Sequence, residues 1–115
     1  MSDIPDYMET ELDVVREALR GRYGEVPEIR LADADLRLDP DSTDLTPCPT
    51  VYWEKDECHF VVFKTGEGRY RCQFFYGVNE QYGTGVHEYN DLSECVVTLL
   101  RVQADHALDR QRARS

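Results

Sequence analysis

The sequence has few basic residues for its length, and this shortage sets the sign of its charge. Of 115 residues, 13 are Lys or Arg and 23 are Asp or Glu, which gives a formal net charge of −10. The excess is confined to residues 1–60, which hold 16 acidic and 6 basic side chains, whereas residues 61–115 hold 7 of each. Such a field repels nucleic acid and anionic membranes and attracts cationic surfaces. Solubility or a salt-adapted proteome would explain the same excess, so both interpretations stay open.

Long apolar runs and export signals are also missing. The longest nearly apolar stretch, Cys95–Leu100, is far shorter than the ~20 residues that span a bilayer. Residues Met1–Asp6 carry neither a basic region nor an apolar run, so we expect no secretory signal and a cytoplasmic protein. Without export, we expect the cysteines to be reduced thiols, namely Cys48, Cys58, Cys72 and Cys95.

Catalytic and metal-binding signatures are absent from the sequence as well. It contains no G-x-S-x-G, H-E-x-x-H or H-x-E…C-x-x-C pattern, so the common hydrolase and deaminase signatures are missing. The cysteines lie 10, 14 and 23 residues apart, whereas structural zinc sites take their ligands in close pairs. Cys58 and His59 are neighbours, but adjacent residues of a strand point to opposite faces. We therefore expect neither an enzyme nor a resident cofactor.

An acidic stretch, residues 33–44, offers calcium as an alternative ligand. Asp39, Asp41 and Asp44 supply the hard oxygen ligands that calcium prefers, and the segment from Asp39 superficially resembles the start of an EF-hand loop. The sixth position is Asp44 and the twelfth is Thr50, where an EF-hand requires Gly and Glu. A calcium- or ligand-binding module that uses Asp33–Asp44 therefore stays an alternative hypothesis.

Two segments show the periodicity of amphipathic helices. The first is predicted over Tyr7–Arg22 with Asp6 as its N-cap, and the second over Asp91–Arg110 with Asn90 as its cap. Residues 110–115 are expected to fray. The apolar face of the first helix has spacings of four, three and four residues and consists of Met8, Leu12, Val15 and Leu19.

Alternating polar and apolar residues predict strands between the helices. A first strand over Glu28–Leu38 has two halves that are out of phase, so we expect a bulge or tight turn near Asp33. Residues 39–49 read as a loop, because three prolines interrupt any periodicity. Further strands are predicted over Thr50–Glu54, His59–Lys64 and Arg69–Tyr76, with a short edge strand over Val86–Tyr89.

The order of these elements predicts the fold class. A helix, three to five strands and a second helix make a single α+β domain over residues 1–115. We expect two layers, with an antiparallel sheet and with the N-terminal and C-terminal helices packed on one of its faces. The other sheet face is then left open for a partner.

Aromatic residues on the strands exceed what a small core clearly requires. Aromatic side chains dominate many interfaces, and an acidic half suits a basic partner. In size, charge and element order, the chain resembles small acidic immunity and anti-restriction proteins, although no motif supports this. The candidate partner-binding residues are Trp53, Phe75, Tyr76, Tyr82, Asp33, Asp35, Asp39 and Asp41.

Three functional hypotheses follow. The first is a non-catalytic, acidic protein-binding module, such as an inhibitor or immunity-type protein that occludes a basic partner surface. The second is the calcium- or ligand-binding module. The third is a homodimeric, secretion-type chaperone, in which the C-terminal helix or an edge strand forms a self-complementary interface. Direct binding to nucleic acid or membranes is not expected from the charge, and the choice between monomer and homodimer stays open.

Overall fold

The chain folds into a helix, five strands and a second helix, in that order. A computed structural model describes residues 4–77 and 79–114. The strands form one antiparallel sheet in the sequential order β1-β2-β3-β4-β5, which confirms the predicted α+β class. The elements are α1 (Glu9–Tyr23), β1 (Arg30–Leu36), β2 (Thr46–Lys55), β3 (Cys58–Gly66), β4 (Arg69–Gly77), β5 (Glu80–Tyr82) and α2 (Leu92–Arg114).

The core lies between the two helices and one face of the sheet. Trp53 of β2 stands opposite Phe60 of β3, and Phe60 stands opposite Phe74 of β4, so the three rings share one face. The Trp53 and Phe60 rings stack with their centroids 5.2 Å apart. Both helices cover these rings with buried aliphatic side chains, among them Leu12, Val15 and Leu19 of α1 and Val96, Leu99 and Leu100 of α2.

The helix boundaries differ from the prediction in their capping residues. Helix α1 begins at Glu9, two residues later than predicted, with Met8 as its N-cap, and the Met8 N–H donates to the Glu11 carboxylate at 2.8 Å. Asp6 is not the cap. Its carbonyl accepts a hydrogen bond from Lys64 instead. Helix α2 is capped by Asp91, whose carboxylate accepts the Glu94 N–H at 3.1 Å, and it extends past the predicted end to Arg114.

Strand β1 runs without the predicted bulge. Its pairing with β2 is continuous, and Asp33 lies directly opposite Pro49. Leu31, Asp33 and Asp35 therefore share the helix side of the sheet, whereas Ala32 and Ala34 point to the opposite side. The continuous register makes β1 a straight edge of seven residues.

The sheet also includes residues that the sequence predicted to lie in loops. Strand β2 starts at Thr46, inside the predicted loop over 39–49, and β5 lies between the predicted strands over Arg69–Tyr76 and Val86–Tyr89. The segment Val86–Tyr89 is not a strand. Only Tyr89 pairs with the sheet, through one bridge to Tyr70 of β4. Within residues 4–77 and 79–114, no helix is long and apolar enough to cross a membrane.

Candidate functional site

Three of the four aromatic residues predicted to contact a partner belong to the interior. Trp53 was predicted to contact a partner, and the structure places its side chain in the core, completely buried. Tyr76 and Tyr82 are half-buried under α2, with ring centroids 5.6 Å and 4.1 Å from that of His106. These rings hold the second helix on the sheet and leave only their edges accessible.

Phe75 lies on the sheet face that carries no helix. Its ring stacks on His59 with a centroid distance of 5.0 Å, and the Tyr52 hydroxyl lies 2.6 Å from the His59 Nδ1 atom. Tyr52, His59 and Phe75 therefore form one aromatic row across β2, β3 and β4. Each of the three rings is half-buried.

The acidic loop satisfies its own polar groups. The Asp39 carboxylate accepts the Asp41 N–H at 2.9 Å, and the Ser42 hydroxyl accepts the Asp44 N–H at 3.0 Å. Such bonds are typical of turns. In the part of the chain that the structure describes, no three His, Cys, Asp or Glu side chains are placed to hold one metal ion. Calcium binding by Asp39, Asp41 and Asp44 stays an untested prediction.

A groove beside β1 brings acidic and apolar side chains together. It lies between the start of α1 and the β1–β2 pair, with a volume of about 360 Å³. Leu31 is 61% exposed, since neither helix reaches over β1. The residues that line the groove are Asp6, Tyr7, Leu31, Ala32, Asp33, Pro49 and Thr50.

The carboxylates at this groove have no cationic partner. Within the described residues, no Lys or Arg forms an ion pair with Asp6, Asp33 or Asp35. Asp35 shares the face of Asp33 and lies about 7 Å farther along the strand. The groove therefore presents uncompensated negative charge next to exposed apolar surface.

A buried polar network fixes the wall of the groove. Lys64 is only 2% exposed, and its Nζ atom lies 2.8 Å from Glu11 Oε1 and 3.1 Å from the Asp6 carbonyl oxygen. The Tyr70 hydroxyl donates to the other oxygen of Glu11, and the Tyr7 hydroxyl donates to the Val62 carbonyl at 2.8 Å. These bonds attach the chain before α1 to the sheet, so Tyr7 stands as a fixed wall.

Burial and hydrogen bonding act on the pKa values of this network in opposite ways. Burial alone would raise the pKa of Glu11, but the bonds from Lys64, the Met8 N–H and Tyr70 outweigh it and hold the pKa below its ordinary value. Burial raises the pKa of both Tyr7 and Tyr70. Glu11 is therefore an anion inside the fold, whereas both phenols stay protonated.

A second cleft, of about 390 Å³, lies at the other end of the helices. Its walls include Tyr23 and Tyr76 as well as two cations that are already paired. Lys55 lies 3.3 Å from Glu25, and Arg110 lies 3.5 Å from Glu80 with its guanidinium 3.8 Å from the Tyr76 ring centroid. This cleft is slightly larger, but its lining mixes cations with the carboxylates of Asp56 and Glu57, whereas the charged side chains that line the groove beside β1 are carboxylates.

The four cysteines are not among the residues that line the groove. Cys48, Cys58 and Cys95 are fully buried and Cys72 is half-buried, all as free thiols. Burial raises the pKa of the Cys58 thiol to about 11. A thiol in such surroundings is a poor nucleophile, because the thiolate is the reactive form.

The groove combines predicted and unpredicted residues. Of its lining residues, Asp33 was predicted to contact a partner, whereas Tyr7, Leu31 and Pro49 were not. Asp35, also predicted, lies outside the lining but on the same face of β1. No pattern in the sequence links Tyr7, Leu31 and Pro49, because the pairing of β1 with β2 and the anchoring of Tyr7 bring them together. A comparison with known proteins found no matching family model, no matching curated protein and no matching solved structure.

Proposed function

We propose that the protein is a non-catalytic binding module that takes up a basic segment of a protein partner in the groove beside β1. The observation that carries this proposal is that the exposed Leu31 lines one groove together with Asp6 and Asp33, for which no ion pair occurs in the described part of the chain. Apolar surface with convergent unpaired acids suits a segment that has both aliphatic and cationic side chains. Lys and Arg meet both needs, because their stems are apolar and their ends are charged.

The charge of the whole chain supports the same partner chemistry. The net charge of −10 attracts cationic molecules over a distance of roughly a Debye length, about 10 Å at 0.1 M salt. The groove lies within the half of the chain that carries this excess, and the exposed Asp39 and Asp41 follow it in the next loop. The field speeds encounter, and the groove then supplies the contacts.

Peptide titration followed by NMR tests the proposal. A short peptide of Lys and Leu residues is added to the ¹⁵N-labelled protein at low salt, with an acidic peptide of equal length as the negative probe. We expect shifts centred on residues 31–35 and on Tyr7 for the basic peptide alone. Binding should weaken as salt is raised, because the contacts are partly between charged groups at the surface.

A charge-matched pair of variants assigns the effect to the groove. Asp33→Asn with Asp35→Asn should weaken peptide binding by about tenfold, since two exposed ion pairs contribute up to about 1 kcal/mol each. Asp105→Asn with Asp109→Asn removes the same charge from exposed positions of α2 and should change the affinity by less than about twofold. Equal losses in both variants, or no shifts with any basic peptide, would contradict the proposal.

A further inference from the structure

We infer that the partner segment binds as an additional β-strand along β1, with Lys or Arg at alternate positions. This inference rests on the proposed function and specifies the kind of segment that the groove accepts. Strand addition needs an edge whose backbone groups are free, and side-chain contacts that select the sequence of the added strand. Strand β1 offers both.

The free edge is long and straight. Strand β1 pairs with β2 on one side only, and its seven residues keep one continuous register. Edge strands are commonly protected from pairing by charged side chains, proline, bulges or short length. In β1 the charges of Asp33 and Asp35 disfavour an acidic or identical strand and leave a basic strand as the favourable partner. Residues 30–36, Arg-Leu-Ala-Asp-Ala-Asp-Leu, include no proline and no lysine, and no register shift occurs in this strand. Its backbone groups are therefore open to a further strand.

The side chains of β1 define what such a strand must carry. Leu31, Asp33 and Asp35 point to the groove side at intervals of about 7 Å, which is the two-residue repeat of any strand. A segment added along this edge repeats with the same spacing. Its alternate side chains then meet Leu31, Asp33 and Asp35 in turn, so the complementary pattern is one apolar and two basic residues at every second position.

The opposite face of β1 places few demands on the residue types of an added strand. Ala32 and Ala34 point there, and both side chains end at Cβ. The intervening residues of an added strand therefore meet small apolar neighbours, and β-branched residues such as Thr or Val fill that space best. The preferred motif is then Leu-Thr-Lys-Thr-Lys or its reverse, depending on the strand direction.

Charge also decides between a basic segment and a second copy of the chain. An antiparallel pairing of two β1 strands centred on Asp33 would place the two Asp33 carboxylates opposite each other, and each Asp35 opposite a Leu31. Like charges directly opposite each other destabilise a strand pair. The carboxylates thus oppose self-pairing and favour a basic strand at the same edge.

Four peptides test the inference on the intact protein. Two have the same composition, one with lysines at alternate positions and one with the lysines adjacent. The other two carry the alternating sequence with N-methyl groups on alternate amides, in the two possible phases. N-methylation removes hydrogen-bond donors from one edge of the peptide, so one phase blocks pairing with β1 and the other faces solvent.

Affinity for each peptide is measured by calorimetry, together with hydrogen exchange of the β1 amides. We expect the alternating peptide to bind at least about tenfold more tightly than the permuted one, since several hydrogen bonds and both ion pairs depend on the register. One N-methylated phase should lose binding by more than about tenfold, and the other should keep it. Outward-facing β1 amides should exchange more slowly in the complex.

Failure of the inference is distinguishable from failure of the proposed function. All four peptides could bind with equal affinity, and Asp33→Asn with Asp35→Asn could still reduce that affinity. This result would leave the groove as a binding site and refute strand addition. Absence of binding by every basic peptide would refute both. A β1-mediated dimer in sedimentation experiments at neutral pH would show that a second copy occupies the edge, which also refutes the inference.

Discussion

Lys64 places its ammonium group in the interface between α1 and the sheet. Its ammonium group contacts Glu11 and the Asp6 carbonyl, and it lies 5.8 Å from the Tyr7 ring centroid. A buried charge of this kind is tolerated because its partner and its hydrogen bonds replace the lost water. The pair therefore fixes how the first helix lies on the sheet, and with it the wall of the groove.

Removing one member of this pair should destabilise the fold strongly. Lys64→Met leaves the Glu11 carboxylate buried without its cation, so we expect a loss of about 3 kcal/mol in the free energy of unfolding. Urea denaturation measures this loss. Adding Glu11→Gln to Lys64→Met should recover part of it, because no uncompensated charge then remains.

The same pair makes stability depend on pH with a definite sign. The pKa of Glu11 is lower in the folded chain than in the unfolded chain. Its contribution to the free energy of unfolding is therefore complete above the unfolded-state pKa and is lost as pH falls through the folded-state pKa. Urea midpoints measured between about pH 7 and about pH 3 should fall less steeply in Glu11→Gln than in the wild type.

An exposed ion pair provides the control. Arg16 lies 3.0 Å from Asp13 on the surface of α1, and Arg16→Met should cost less than about 1 kcal/mol. A loss as small as this in Lys64→Met would show that the buried pair contributes little.

At the scale of single elements, the turn between β2 and β3 is strained. Lys55 pairs with Cys58, so the turn consists of Asp56 and Glu57 alone, and both have positive φ angles, 53° and 67°. Two-residue turns of this type favour Asn-Gly or Asp-Gly, because glycine adopts positive φ without a steric cost. Glu57 therefore holds a conformation that its side chain disfavours.

Replacing this residue by glycine should stabilise the protein. We expect Glu57→Gly to raise the free energy of unfolding by up to about 1 kcal/mol, measured by urea denaturation, because the strain of a left-handed Glu is removed.

Gly68, in the turn between β3 and β4, is the opposite case. Its φ is 70° and a Cβ atom would meet nothing within 4 Å, so Gly68→Ala should destabilise by about 1 kcal/mol through the backbone alone. Changes of the same sign in both variants would contradict this account.

The elements also show how far hydrophobic patterning extends. The apolar spacing predicted three residues of the buried face of α1 correctly, because one side of that helix faces the core. These residues are Leu12, Val15 and Leu19. The bulge predicted near Asp33 rested on the assumption that Leu31 and Leu36 are both buried on one face. Leu31 is exposed at an uncovered edge, so its position carries no information about a core face.

The candidate site was predictable only in part, for a related reason. The acids at 33 and 35 were identified from charge, but their common face follows from the continuous register of β1 with β2. The wall of the groove depends on Tyr7 and Lys64, which are 57 positions apart in the chain and meet only in the folded protein. The burial of Trp53 could not be predicted, because an aromatic residue on a strand has the same sequence pattern in a core and at an interface.

For the molecule as a whole, the net charge of −10 opposes folding through self-repulsion. Salt screens this repulsion, and it weakens exposed ion pairs such as Arg20–Glu17, which contribute little. We therefore expect the thermal midpoint to rise as NaCl is increased from about 0.05 M to about 1 M.

Three substitutions in the acidic loop provide the comparison. Asp39→Lys, Asp41→Lys and Asp44→Lys together reduce the net charge without touching the core, since all three residues are exposed. The salt-dependent rise in the midpoint should be smaller in this variant. A midpoint that falls with salt in the wild type would show that attractive ion pairs outweigh the repulsion.

The two borders of the sheet are unequal. On the β4 side, β5 covers one end of the strand and the Tyr89–Tyr70 bridge covers the other, and β5 itself leaves a border of only three residues. Among the strands that the structure describes, β1 therefore offers the longer free edge for growth by strand pairing. A molecule with one free sheet edge can pair with one other such molecule, and the assembly then ends. Copies of this chain joined through their sheets would therefore end as a closed pair and not as a filament.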